Sequence, residues 1–308
     1  MASQSRIIGL GPWAGIDNVH RDDGKVFQIP DRNARILPNL MAVVNMDQDE
    51  EGWPSATRDD WTLLDASPSH SLFEHAGISY AVLGSTLSRL DGDGPVSITT
   101  VAGPLAWTVL NSEPVFTDGV DIKIIHNSTC ASLPTSVSEP DEQLVLDPLP
   151  GGSSIAYWNG RLLVARGTTM FVSEPLRYGV YDTMRGRFQF EQQIQWIAAI
   201  PTGIYVGLTD SVRFLGGTDP LALTHTRVSG PGWGGICVDV SEMNLAELRA
   251  QENEGIKEIA VWMEDKGFTV GLPSGKVERP QAYNIKNLEI THGGKISMYN
   301  SRITAIGP

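Results

Sequence analysis

The residues best equipped for chemistry are an acidic loop, six histidines and two cysteines. Asp47-Gln48-Asp49-Glu50-Glu51-Gly52 copies the first half of a calcium-binding loop, with Asp47, Asp49 and Glu51 as candidate oxygen donors. The twelfth position counted from Asp47 is Arg58, where such a loop needs a bidentate Glu. A cation there opposes the metal, so the segment reads as a solvated turn, and Asp47, Asp49 and Glu51 remain weak metal candidates. His20, His70, His75, His126, His225 and His292 form no HxH or HExxH ligand pair. His70 and His75 flank a turn and read as solvated or capping residues. Cys130 and Cys237 lack CxxC spacing and read as buried or idle thiols in a reducing cytoplasm.

Other catalytic signatures are missing too. There is no GxSxG and no Walker-type loop. Gly216-Gly217 and Gly230-Pro231-Gly232-Trp233-Gly234-Gly235 lack the strand–loop–helix setting that cradles phosphate, and read as turns. The 36 carboxylates single out no pair for glycoside hydrolysis, and no sialidase-type Asp-box recurs. The sequence points to no catalytic residue, no cofactor and a protein that is not an enzyme.

The elements that would carry any site repeat along the chain. A polar turn with Gly, followed by alternating apolar residues, recurs at Gly77, Gly119, Gly160, Gly203 and Gly267, at intervals of 42, 41, 43 and 64 residues. Apolar strands precede several of these turns: Ile155–Trp158, Trp196–Ile200 and Ile259–Trp262. Paired β-rich runs about a Gly turn make hairpins. A period of about 40–45 residues is that of four-stranded propeller blades. The expected fold is all-β, a β-propeller of five to seven blades. Gly294 and Lys295–Tyr299 begin a further unit, which could share a blade with an N-terminal strand and close the ring.

Residues 1–66 do not follow the blade pattern and read as an N-terminal arm with one or more closing strands; residues 67–308 read as the propeller. Leu133–Gly152 holds several prolines and reads as an extended connection. The longest interval contains an insertion at about 229–257. Within it, Asp239-Val240-Ser241-Glu242 resembles a capping box and predicts one helix over roughly 241–253.

The net charge of −13 argues against a protein that grips nucleic acid, because phosphate binding needs Lys and Arg patches. It suits solubility, and also the wall of a channel through which DNA passes. No run of 18 apolar residues is present, so no membrane insertion is expected, and the first residues lack the apolar core of a signal peptide.

Two N-terminal elements resemble those of a phage virion family. Gly11-Pro12-Trp13-Ala14-Gly15-Ile16-Asp17-Asn18 is similar to its G-x-W-x-G-I-N-N element, with Asp17 in place of Asn. Ala42-Val43-Val44-Asn45-Met46-Asp47-Gln48-Asp49-Glu50-Glu51-Gly52, with Arg58 beyond, is similar to its A-V-N-x-D-x-D-x-x-G-x-x-x-x-R segment. The match covers about the first 60 residues by motif and the rest by periodicity. The family comprises tail nozzle or tail-hub proteins of tailed bacteriophages. The resemblance implies a virion structural protein, made in the host bacterial cytoplasm, that forms a homo-oligomeric ring around the DNA-ejection channel. Its neighbours would be other tail and neck proteins, an adaptor and a tail fibre or spike, and DNA would pass without specific binding.

In such a ring Trp13, Ile16 and Trp53 are the interface candidates, as aromatic and apolar anchors on the arm. Trp61 reads as packing within its own chain. The alternative is a propeller that binds or hydrolyses glycans. It requires either a carboxylate cluster in the central channel or exposed aromatics in equivalent loops of several blades.

Overall fold

The computed structural model describes residues 28–30, 36–38, 46–48, 54–56, 68–91, 94–126, 128–135, 145–239, 257–265, 267–279, 295–299 and 302–306. The chain divides into two compact units. One comprises Met1–Leu63, Asp265–Gly267 and Pro280–Glu289; the other comprises Leu64–Glu264, Phe268–Arg279 and Ile290–Pro308. In the first unit, β1 (Gln28–Pro30) pairs antiparallel with β2 (Ile36–Pro38), and β3 (Met46–Gln48) with β4 (Pro54–Ala56).

The second unit is built from five four-stranded antiparallel sheets. Blade 1 is β5 (Ser69–His75), β6 (Ile78–Leu83), β7 (Thr86–Asp91) and β8 (Gly94–Thr100). Blade 2 is β9 (Ala106–Leu110), β10 (Glu113–Thr117), β11 (Ile122–His126) and β12 (Thr129–Ser132). After β13 (Leu146–Pro148), blade 3 takes β14 (Ser154–Trp158), β15 (Arg161–Arg166) and β16 (Thr169–Val172). Its chain then detours through β17 (Val180–Asp182), which pairs with β13, before β18 (Arg187–Gln189) completes the blade. Blade 4 is β19 (Ile194–Ile200), β20 (Gly203–Leu208), β21 (Val212–Gly216) and β22 (Thr224–Ser229). Blade 5 is β23 (Trp233–Asp239), β24 (Glu258–Glu264), β25 (Gly267–Gly271) and β26 (Val277–Glu278). A last hairpin, β27 (Lys295–Tyr299) with β28 (Arg302–Ile306), follows.

First strands of successive sheets lie side by side, in the series β9, β14, β19, β23 and β27. Sequential meander sheets whose first strands adjoin and whose faces stack define a β-propeller. The five complete blades and the β27–β28 pair fall within the expected range of five to seven.

The apolar pattern explains why sheets stack. In β15, Leu163 and Ala165 enter the core shared with blade 4, while Leu162 and Val164 enter the core shared with blade 2. In β20, Ile204, Val206 and Leu208 face blade 3 and Tyr205 faces blade 5. Every residue of β20 is buried, as expected of a strand covered on both faces.

Several features differ from the sequence reading. In blade 2 the turn between first and second strands is Asn111-Ser112, with φ of 51° and 64°; Gly119 instead joins the second and third. Asn tolerates positive φ, so this turn needs no Gly and leaves no Gly signal. Gly267 likewise opens the third strand of blade 5, not the second, because Trp233–Asp239 is its first strand. That strand lies inside the stretch read as a helical insertion, so only residues 240–257 connect β23 to β24, and the expected helix over 241–253 lies outside the described residues. Gly203 is a strand residue: the turn is Pro201-Thr202, and the Phe214 ring lies over Gly203. Leu146–Pro148 within the expected connection is also a strand. Among the described residues, β27 and β28 pair with each other and no N-terminal strand joins their sheet.

Trp196 shows how closely the blades approach. A Cβ on Gly235 of blade 5 would meet its ring at 2.0 Å, and one on Gly207 would meet it at 2.1 Å. Two glycines thus make the slot into which the buried indole fits. Gly235→Ala is expected to destabilise the protein by about 1–3 kcal/mol in urea unfolding, as overpacking does. Gly230→Ala, where a Cβ meets nothing within 4 Å, is expected to leave the midpoint unchanged.

Candidate functional site

Trp13, Ile16, Trp53, Asp49, Glu51 and Arg58 lie outside the described residues, as does Trp61. Asp47 is described by its backbone, in β3 and paired with Ser55. Among the described residues, no group of three or more His, Cys, Asp or Glu comes together as a metal site. No helix among them is long and apolar enough to cross a membrane.

His70 and His75 do not flank a turn as expected: both lie on β5, ahead of the turn at Ala76-Gly77. His70 Nδ1 contacts Ser71 Oγ at 2.8 Å, and His75 Nε2 contacts the Ser112 carbonyl at 3.0 Å. His126 pairs with Glu113. Cys130 and Cys237 are both free. Burial pushes the Cys130 thiol above its ordinary pKa, with Asp118 adding to the rise and Lys123 opposing it.

Polar side chains concentrate at the seams between blades. Thr117 is fully buried, and its hydroxyl contacts both the N–H and the carbonyl of Gly152, at 3.0 and 3.3 Å, where the chain enters blade 3. The next residue, Asp118, accepts the backbone N–H groups of Asp121 at 3.0 Å, Val120 at 3.1 Å and Ala102 at 3.2 Å, the last on the segment between blades 1 and 2. Burial raises the Asp118 pKa, but these three donors and Lys123 outweigh it, and the carboxyl rests below its ordinary value. One corner of blade 2 therefore ties three blades together.

Aromatic side chains make the other ties. Trp107 Nε1 donates to the Ser71 carbonyl at 3.2 Å, across the blade 1–2 seam. Ser71 sits at a register shift of β5 with φ of 59°, and its hydroxyl also accepts the Leu105 N–H at 2.8 Å. Trp158 Nε1 donates to the Ile200 carbonyl at 3.1 Å, and Trp196 Nε1 to the Gly232 carbonyl at 2.8 Å. Tyr205 donates to the Leu272 carbonyl at 2.7 Å, and burial holds its hydroxyl pKa well above the usual range. Trp262 donates to Glu264 at 2.8 Å, and Arg279 closes that carboxylate with an ion pair at 2.8 Å.

One exposed corner stands apart. Glu174-Pro175-Leu176-Arg177 forms a turn closed by Arg177 N–H to the Glu174 carbonyl at 3.1 Å. Leu176 has φ of 60°, where a type II turn favours Gly or Asn, yet it is 74% exposed. Its own N–H donates to the Gly160 carbonyl at 2.9 Å, which holds it at the first turn of blade 3. Exposed Tyr157, on β14, pairs with Tyr178 at a ring separation of 6.4 Å. Burial and the neighbouring Tyr157 raise the Tyr178 pKa. This apolar corner escaped sequence reasoning. Its signal is the Pro-Leu pair, a turn marker followed by a residue that the turn disfavours.

The inner strands carry few charges. The described acids on the first strands of the blades are Glu74 on β5 and Asp239 on β23. The other described acids lie on loops and on other strands.

The chain is a β-propeller protein by its own sheets. No known protein family matches it, and no curated protein does. It is similar to the solved structure of BBS1N in complex with ARL6DN, at 12% identity over 75% of this chain and 71% of that one, with a TM-score of 0.48. It is similar to a gluconolactonase from Xanthomonas campestris at 10% identity over 79% and 84% of the two chains (TM-score 0.46). It is also similar to YCF48 from Cyanidioschyzon merolae at 12% identity over 75% and 76% (TM-score 0.45).

The Asp118 corner has a pH signature. A carboxyl whose folded pKa lies below its unfolded value of about 3.9 adds stability above that value and loses it as the pH falls through the folded pKa. Asp118→Ala is expected to cost about 1–3 kcal/mol at pH 7, for three orphaned N–H donors. The gap to the parent protein is expected to narrow below about pH 4, measured by urea unfolding across pH.

Proposed function

We propose that this chain is a structural protein of a bacteriophage tail, of the nozzle or tail-hub type, which assembles into a ring around the DNA-ejection channel of the virion. The observation that carries the reading is the pair of N-terminal elements around Trp13-Ala14-Gly15-Ile16 and Asn45-Met46-Asp47, joined to a propeller body. A ring subunit needs a rigid body and surfaces that reach its neighbours. The blades supply the first. Residues 1–66, with Trp13, Ile16 and Trp53 as anchors, supply one contact, and the Leu176–Tyr157 corner of blade 3 supplies a second. Strain at Leu176 favours this use, because Gly would serve the turn better if the turn were all that mattered.

The net charge of −13 suits a ring lumen that repels phosphate. In this reading the lumen belongs to the assembled ring, lined by loops and outer strands, so the sparsely charged inner strands of the propeller do not conflict with it. Adaptor and fibre or spike proteins are its neighbours, and DNA passes without specific contacts.

The glycan alternative finds less support. Trp158 and Trp262, which precede blade turns, are 2% and 0% exposed and serve as core. Among the described residues, Tyr157 alone offers an exposed ring in a comparable position.

Quantitative mass spectrometry of purified tailed particles tests the proposal. The full chain is expected at a fixed copy number relative to the portal. A chain lacking residues 1–40 is expected to keep its β circular dichroism but to be absent from particles, and Leu176→Asn to be incorporated poorly. Incorporation of the truncated chain at the full copy number would refute the arm. Absence of the full chain from particles would refute the reading altogether.

A further inference from the structure

We propose that blade 4 carries an oxyanion site, formed by Arg213 and Arg227 with His225 at its margin, that takes a phosphate group. The inference rests on the described blade and is independent of the virion reading.

Arg213 on β21 and Arg227 on β22 are direct cross-strand partners. Such partners project from the same face of a sheet, and like charges placed this way repel. Among the described residues, neither arginine has a carboxylate within ion-pair distance. Arg227 makes one hydrogen bond, from Nη2 to the Asp210 carbonyl at 3.4 Å. The Asp210 carboxylate is engaged instead by the Ser211 hydroxyl at 2.8 Å. The Nε of Arg213 is buried and has no hydrogen-bond partner among the described residues. A buried donor left unsatisfied on a charged group is a cost that folded proteins seldom carry without a use.

The local backbone is shaped around this pair. The register shifts between Val212 and Arg213, so that Val212 opposes Ser229 while Arg213 opposes Arg227. Bulges of this kind re-aim side chains and recur beside functional sites. Val228, the extra residue, packs into the blade 4–5 core, whereas Leu215, two residues beyond Arg213, packs into the blade 3–4 core. Alternation therefore directs both guanidinium groups toward the blade 3 side. His225 opposes Leu215 on that face and stacks on Phe190 of blade 3, with ring centroids 6.1 Å apart. Two planar guanidinium forks and an imidazole on one face match a tetrahedral oxyanion, which accepts several charge-assisted hydrogen bonds at once. A bound phosphate satisfies the Arg213 Nε and relieves the repulsion between the two cations.

Isothermal titration of the full chain with inorganic phosphate, against chloride at matched ionic strength, tests the site. Phosphate is expected to bind and to raise the thermal unfolding midpoint, with chloride doing neither. Arg227→Gln changes an exposed side chain and is expected to keep the fold while weakening phosphate binding at least about tenfold. Arg213→Gln is expected to act likewise, with circular dichroism confirming its fold. A short DNA duplex added to the phosphate-loaded protein separates the sources: displacement of phosphate assigns the site to a nucleic-acid backbone, and no displacement assigns it to free phosphate. No phosphate binding beyond the chloride control, or equal binding by the parent and Arg227→Gln, would overturn the proposal.

Discussion

The structure depends on sheets that are apolar on both faces. A strand such as β20, with Ile204, Val206 and Leu208 on one side and Tyr205 on the other, finds shelter only between two neighbours. A blade with such a strand cannot stand by itself, and its stacking is obligatory. Apolar burial drives the stacking but does not set its geometry, because it is non-directional. The geometry comes from aromatic side chains that fill a seam and end in a donor. Trp158, Trp196 and Tyr205 each lie in one blade and donate to a backbone carbonyl beyond the seam. A buried indole or phenol without its acceptor would be costly, so each bond fixes the distance and rotation of one blade against the next.

Small residues complete the same design. The indole of Trp196 fits against Gly207 of its own blade and Gly235 of the next, where any side chain would collide with it. The Trp262 ring lies 5.7 Å from that of Trp196 and 5.4 Å from that of Tyr205, each tilted, so the blade 4–5 seam holds a continuous aromatic cluster. At the other end of the unit, Thr117 and Asp118 do with hydroxyl and carboxylate what the tryptophans do with N–H groups. A body locked this way has little freedom to work by changing shape. Its function must reside on its loops and edges, which is the usual division of labour in propellers. The exposed, strained Leu176 and the facing arginines of blade 4, which meet no carboxylate among the described residues, are places where local rules are broken without a structural return.

Much of the fold was legible because alternating apolar runs between polar turns leave a strong mark. Ile155–Trp158, Trp196–Ile200 and the strands after Gly77, Gly160 and Gly203 all read correctly as hairpins. The phase of the repeat was harder. Turns built on Asn111-Ser112 and Pro201-Thr202 show no Gly, while Gly119 and Gly267 mark a different turn of their blades, so glycine spacing alone mixed two positions. Trp233–Asp239 was hidden for a related reason: its glycines serve the Trp196 slot and a register shift rather than a turn. The site was scarcely legible. Seam contacts such as Asp118 with Ala102, or Trp158 with Ile200, join residues far apart in sequence, and no local pattern encodes them. The arginine pair depends on a register that a single bulge decides.

The central claim is that this rigid propeller works as one subunit of a ring. Its most direct test is the native mass of the purified full-length chain, by sedimentation velocity and native mass spectrometry over a range of concentrations. The account expects a closed multimer of one defined stoichiometry, persisting on dilution and visible as rings by electron microscopy. A monomer at every concentration, which also fails to assemble when portal and adaptor proteins are supplied, would contradict it.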